Sequence, residues 1–389
     1  MIPFSDFLYF GVSLYALIPA LILGFFKRGW RVWLVIATLG MLAIQYFKIQ
    51  PLVGTGVYEL VLVLAYALLE WISTVWFLSV RRKARSRPTF YFALFLNLIP
   101  LLAAKFVPLV QPDYPLLFIG LSYVTFRVLD ATIGIQDGLI KAVNPVAFLS
   151  FLLFFPTISS GPIDRYRRFE KDWNTERDRA QFLLDLDGGI HRIFTGFLYK
   201  FILAALVKQY WLDPVSHVGG ALPILSYMYA YTFYLFFDFA GYSAFAIGFS
   251  YIFGIHTPEN FNRPFISRDI REFWQRWHMS LSFWFRDHIY NRFLFAALKG
   301  KWFKDAQSAS YAGLLLTMGL MGFWHGIALH YIVYGFYHGL LLIATNWLDR
   351  RYQGNRLLND PGWLWRGLSI LITFHLVAFS FLIFSGRLF

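Results

Sequence analysis

The chain has 389 residues, 58% of them hydrophobic and 15% charged; a soluble domain carries roughly 45–50% apolar residues, and a mean hydropathy of +0.52 excludes that class. The formal net charge of +13 does not point to nucleic acid, because Lys and Arg gather beside apolar runs, in "KRGWR" at 27–31 and "RRKARSR" at 81–87. That is the positive-inside pattern of a protein whose partner is the lipid bilayer and its anionic headgroups. Cysteine is absent, which excludes disulfides, thiolate metal sites and a cysteine nucleophile.

Residues 7–26, "FLYFGVSLYALIPALILGFF", run without a charge over the roughly 20 residues that a helix needs to cross a hydrocarbon core. No basic segment precedes them and further apolar runs follow, so the stretch reads as a span and not as a cleaved signal. Further spans are expected at 32–47, 57–80, 89–110, 193–210, 221–237, 239–255, 310–324, 327–345 and 366–384, with shorter candidates at 114–127 and 145–158. None alternates with the period of a barrel strand, so all are read as helices. With both early basic clusters in the cytoplasm, the N-terminus lies outside. The next basic stretch, "DRYRRFEKDWNTERDR" at 164–179, would lie outside too if both short candidates crossed. One of them is therefore expected not to span, its backbone being buried in protein. The expected fold is an all-α polytopic membrane protein, a single domain over 1–389, with about 11 transmembrane helices plus re-entrant and interfacial ones.

Ahead of the span at 310–324 lies "RDIREFWQRWHMSLSFWFRDHIY", residues 268–290. Trp274, Trp277, His278, Leu281, Trp284, Phe285 and His288 recur at helical spacing, while Arg271, Glu272, Gln275 and Arg276 fall elsewhere. This predicts one amphipathic helix at the interface or partly re-entrant. Asp269 followed three positions later by Glu272 marks its start, and "TPENFNRPF" supplies the break before it. An anchor helix gives no reason for His278 on the apolar stripe.

The sharper case is "MGFWHGIALH", residues 321–330, where His325 interrupts an apolar run. A neutral imidazole is buried at far lower cost than a carboxylate or ammonium and accepts a proton, which suits a general base. A histidine bonded to a helix carbonyl is the plainer reading of the same residue. A metal is disfavoured: His325 and His330 stand roughly 140° apart around a helix, and no HExxH or carboxylate-rich set accompanies them. Asp238, Glu70, Lys105 and Lys200 complete the ionisable residues within the spans. Asp238 precedes a Gly-containing kink and is the candidate to orient a histidine; the others read as polar contacts between helices.

From "YLFFDFAGYS" at 234–243 through "REFWQRWHMSLSFWFRDHIY" to "GFWHG", the chain resembles the membrane-bound O-acyltransferases. "GLSYVTFR" at 120–127 and "SSGPIDRYRRF" at 159–169 are similar to their bacterial branch. Alginate-type polysaccharide acetyltransferases carry a "PLGGNR"-like segment after "WFRDYLYI"; here "WFRDHIY" runs into "NRFLFAALKGKWFK", which resembles the branch serving teichoic-acid D-alanylation. The resemblance implies a bacterial cell-membrane protein whose helices pack around a thin central partition, reached by a central funnel from outside. It implies, as acyl donor, D-alanine as a thioester on the phosphopantetheine arm of a D-alanyl carrier protein at the cytoplasmic face, with no permanently bound cofactor. The implied acceptor is teichoic or lipoteichoic acid, directly or through a small membrane partner subunit. The family's "WHG" histidine falls on His325 and its "RWH" histidine on His278.

Moving an acyl group from a thioester to a hydroxyl needs a base for the proton and donors for the developing oxyanion. His325 is the expected base. Orienting the acceptor, donating to the thioester oxygen and assisting the leaving thiol all stay open to His278. No "GxSxG" elbow marks a serine nucleophile, so direct transfer is expected. Arg292, Leu294, Phe295, Leu298, Lys299, Lys301 and Lys304 offer an acidic carrier an apolar anchor with a basic rim, and an ordinary basic surface turn has the same composition. O-acetyl transfer to an exported polysaccharide would use the same two histidines with another donor. A transporter would call for repeated halves with matching interrupted segments, which the sequence lacks.

Overall fold

The computed structural model describes residues 1–26, 29–46, 58–110, 119–352 and 362–389. Lys27 and Arg28 of the first basic cluster, and residues 114–118 of one short candidate, lie outside the described residues. Among the described residues every regular element is helical, apart from one isolated bridge. In chain order these include α1 (Phe7–Phe25), α2 (Trp30–Tyr46), α3 (Tyr58–Lys83), α4 (Arg87–Val110), α5 (Leu121–Gln136), α6 (Pro145–Leu153) and α7 (Tyr166–Asn174). There follow α8 (Arg179–Val215), π-helical over Phe197–Ala204 and Lys208–Leu212, and α9 (Ala221–Ile252). Six described helices, α1, α3, α4, α8, α9 and one at Trp363–Phe384, have the length and apolar composition to cross a membrane. This is a multi-pass membrane protein.

Two expectations change. The spans at 221–237 and 239–255 are one unbroken helix, α9, of 32 residues. Gly241, read as a kink, serves a close approach instead: a Cβ there would lie 2.7 Å from the backbone nitrogen of Lys200. Of the two short candidates, α6 has nine residues, about 14 Å of helix against a hydrocarbon core of about 30 Å, and does not cross. Asn144 caps it, accepting from the Ala147 amide at 3.0 Å. At its other end the fully buried Arg127 of α5 donates to the carbonyls of Phe151 (2.7 Å), Leu152 (3.0 Å) and Thr157 (2.9 Å). One guanidinium thus satisfies backbone acceptors that no water reaches.

The chain divides into two compact units, Met1–Gly196 with Tyr242–Pro258, and Phe197–Gly241 with Glu259–Phe389. In the first, α5 is buried along nearly its whole length and is tied to its neighbours by short polar contacts. Tyr66 Oη meets Thr125 Oγ1 at 2.8 Å, and Asn97 Nδ2 donates to Thr132 Oγ1 at 2.9 Å. The loop after α9 returns to α7 and α8 through His256, which lies against Asp172 and Asp185.

The second unit is built on a helical hairpin whose arms are Ala306–His325 and Leu329–Arg351. The arms touch where Gly322 meets Gly335: a Cβ on Gly335 would lie 2.4 Å from the carbonyl oxygen of Met318, and one on Gly322 2.3 Å from that of Tyr331. Aromatic rings fill the space beside it. Phe265 meets Phe236 at 5.0 Å and Phe374 at 5.5 Å, and Trp277 meets Phe381 at 4.8 Å.

Candidate active site

The amphipathic stretch at 268–290 starts as expected but is not one helix. Asp269 accepts from the Glu272 amide at 2.8 Å, and the Glu272 carboxylate accepts from the Arg268 amide at 2.8 Å. The helix so begun, α10 (Ile270–Trp274), stops after five residues; α11 (Met279–Phe285) follows and passes through a π-helical turn, Arg286–Tyr290, into α12 (Asn291–Gly300). The break has a cause in the preceding segment. Phe261 forms an antiparallel bridge with Trp277. The Asn262 amide donates to Arg276 O at 2.9 Å and the Met279 amide to Asn260 O at 2.9 Å. Groups that would have continued the helix are drawn into this pairing.

His278 sits at that break with φ 43° and ψ 51°, in the left-handed region. It is 4% exposed. Its ring meets the edge of Phe239 at 4.8 Å and lies 6.4 Å from Trp324. Its Nε2 has no hydrogen-bond partner among the described residues.

His325 is the last residue of α13 (Ala306–His325), the first arm of the hairpin, which ends because Gly326 leaves helical geometry with an extended backbone. Its half-buried ring lies 4.6 Å from Trp324, 5.0 Å from Phe384, 6.0 Å from Tyr334 and 6.2 Å from Tyr331. Tyr331 and Tyr334 come from the second arm, α14 (Leu329–Arg351), and Phe384 ends α15 (Trp363–Phe384). Trp324 lies between the two imidazoles, its ring 6.4 Å from that of His278 and 4.6 Å from that of His325. Residues 47 positions apart in the chain are thereby brought to one tryptophan ring.

The other predicted site residues are placed differently. Asp238, expected to orient a histidine, forms an ion pair with Lys200 instead, which leaves the carboxylate committed. His330 packs on Tyr331 at 4.1 Å. His338 is fully buried in α14, its Nδ1 accepting from Trp274 Nε1 at 3.3 Å. On α12 and the turn after it, Phe295 is 70% exposed. Leu298, Lys299, Lys301 and Lys304 are exposed beside it, while Arg292 and Leu294 are half-buried. Among the described residues no group of three or more His, Asp or Glu gathers as a metal site. Asn260 and Ser280, which hold the break at His278 through a 2.6 Å hydrogen bond from Ser280 Oγ to Asn260 Oδ1, carry no signal in the sequence. "PENFN" reads there only as a helix breaker.

A helical multi-pass bundle with two histidines joined through a tryptophan defines a class, and the chain belongs to the membrane-bound O-acyltransferase family, whose family model matches residues 29–386. It is a membrane-bound acyltransferase. It is 41% identical to the teichoic acid D-alanyltransferase of Bacillus subtilis, over the whole of this chain and 98% of that one. It is 40% identical to the teichoic acid D-alanyltransferase of Streptococcus thermophilus, over 98% of this chain and 94% of that one. The probable alginate O-acetylase of Pseudomonas aeruginosa is 36% identical, over 70% of this chain and 49% of that one.

Proposed function

We propose that this protein transfers D-alanyl groups to teichoic or lipoteichoic acid, directly or through a small membrane partner subunit. The donor is a D-alanyl thioester on the phosphopantetheine arm of a carrier protein. The reading is supported by identity of about 40% along the full length of relatives named for that activity, and the single observation that carries it is the pair of imidazoles sharing Trp324. The family match takes in both compact units, so the whole chain acts as one acyltransferase domain. Alginate-type O-acetyl transfer is disfavoured, because similarity to those relatives is lower and stops at 70% of the chain.

In this mechanism His325 takes the proton of the acceptor hydroxyl as its oxygen attacks the thioester carbonyl carbon. The new C–O bond forms, the C–S bond breaks, and the proton passes to the departing sulfur, so the carrier leaves as its thiol and no acyl-enzyme forms. His278 offers a buried, unpartnered Nε2 to a second reacting atom, whether acceptor oxygen, thioester oxygen or leaving sulfur. The surrounding rings keep competing water away from the thioester. The carrier docks on α12, where Phe295 and Leu298 supply the apolar anchor and Lys299, Lys301 and Lys304 the basic rim, with Arg292 and Leu294 behind them.

The test is D-alanine incorporation into cell-wall polymer in cells carrying wild type or His325→Ala, with membrane level and carrier binding measured in parallel. Loss on the order of 10²–10⁴-fold, as for removal of a general base, is expected at unchanged level and binding. Retained incorporation would make His325 a packing residue and overturn the mechanism.

A further inference from the structure

A left-handed backbone is disfavoured for any residue with a Cβ and persists only where its surroundings over-determine it. At His278 one buried residue, through its backbone carbonyl and its side chain, does much of this. Asn260, 0% exposed, holds both residues that follow the histidine: its carbonyl accepts from the Met279 amide at 2.9 Å. Its Oδ1 accepts from Ser280 Oγ at 2.6 Å and from the Ser280 amide at 3.3 Å. The next residue, Phe261, pairs with Trp277 on the other side of the histidine and packs at 5.1 Å on Phe239, the ring that meets His278 edge-on.

We propose that Asn260, through Met279 and Ser280, is a positioning residue for the acyl transfer: it fixes the left-handed turn at His278 and so the direction in which that imidazole presents Nε2. The proposal rests on the proposed part of His278 in the transfer. Asn260 itself touches no reacting atom. It acts by supplying, from one buried residue, acceptors for the first two backbone donors of α11, so the main chain that carries the ring cannot shift without breaking them.

The experiment measures kcat and the KM for the D-alanyl carrier, using membranes that contain wild type, Asn260→Ala, Ser280→Ala, Ser280→Thr, His278→Ala and the Asn260→Ala/His278→Ala pair. Asn260→Ala should lower kcat on the order of 10–100-fold, the scale of an ångström-level misplacement, with the carrier KM unchanged. Added to His278→Ala, the same change should reduce the residual rate by less than about twofold, because residues acting as a unit are not additive. Ser280→Ala should give an intermediate loss that Ser280→Thr, which keeps the hydroxyl, restores. If Asn260→Ala does not reach the membrane, Ser280→Ala takes its place in the pair. Equal losses with and without His278, or an unchanged kcat, would overturn the proposal. A wild-type rate in His278→Ala would instead overturn the reading of His278 on which it rests.

Discussion

His256 is gripped from both sides of its ring. Nε2 lies 2.9 Å from Asp185 Oδ1, Nδ1 lies 3.4 Å from Asp172 Oδ2, and that same Asp172 oxygen accepts the His256 amide at 2.7 Å. The hydrogen bonds to Asp172 and then Asp185, working against partial burial, raise its pKa from 6.5 to about 9. The folded form binds the proton more tightly than the unfolded chain, so this contribution to stability is complete below about 6.5 and is lost as pH rises through about 9. The thermal midpoint in detergent should therefore fall between about pH 7.5 and about pH 10. His256→Gln should start lower and fall less. Parallel curves for the two proteins would refute the latch. Histidines held by carboxylates and histidines left for chemistry look alike in a sequence: Asp172 and Asp185 stand 84 and 71 residues from His256, whereas Asp238, the expected carboxylate for the site, is committed to Lys200. His325 and His278 were legible as imidazoles out of place in apolar runs. Their closeness was not, since it is seen only in the rings of Trp324 and the two histidines, and neither was the turn at His278, which depends on pairing with residues 260–262.

Among the helices, the hairpin of α13 and α14 sets the position of His325, three residues beyond the glycine at which the arms touch. A side chain at Gly335 would meet the Met318 carbonyl, part of the backbone that cannot move aside as a side-chain tip would. Gly335→Val should therefore destabilise by about 1–3 kcal/mol, the usual range for overpacking, read as a lowered thermal midpoint. Transfer activity should fall further than the loss of folded protein accounts for, because the end of α13 shifts with the crossing. An unchanged midpoint would show that the hairpin has room the geometry denies. The lengths of most helices were readable from their apolar runs. The errors came where a local signal had a distant answer: Asp238 and Gly241 look like a break in α9, yet the first is neutralised by Lys200 and the second is filled by the Lys200 backbone. Likewise the single start signal at Asp269 was correct, and the early stop after Trp274 came from strand-like pairing that no helical periodicity encodes.

For the molecule as a whole, the continuity of α9 matters more than its length. Its 32 residues measure about 48 Å at 1.5 Å each, enough to cross a core of about 30 Å with turns to spare on either side. The loop after it returns to α7 and α8 at His256, so residues 253–258 share a side with the basic stretch at 164–179. A reporter enzyme active only outside the cytoplasm should be silent when fused after Thr175 and equally silent when fused after Thr257. A signal at the second site alone would contradict a single crossing. The consequence is one of odd and even: two crossings between 221 and 255 would return the chain to the compartment it had just left. One crossing delivers it to the opposite compartment, so a topology map drawn from apolar runs alone would be inverted from residue 256 onward.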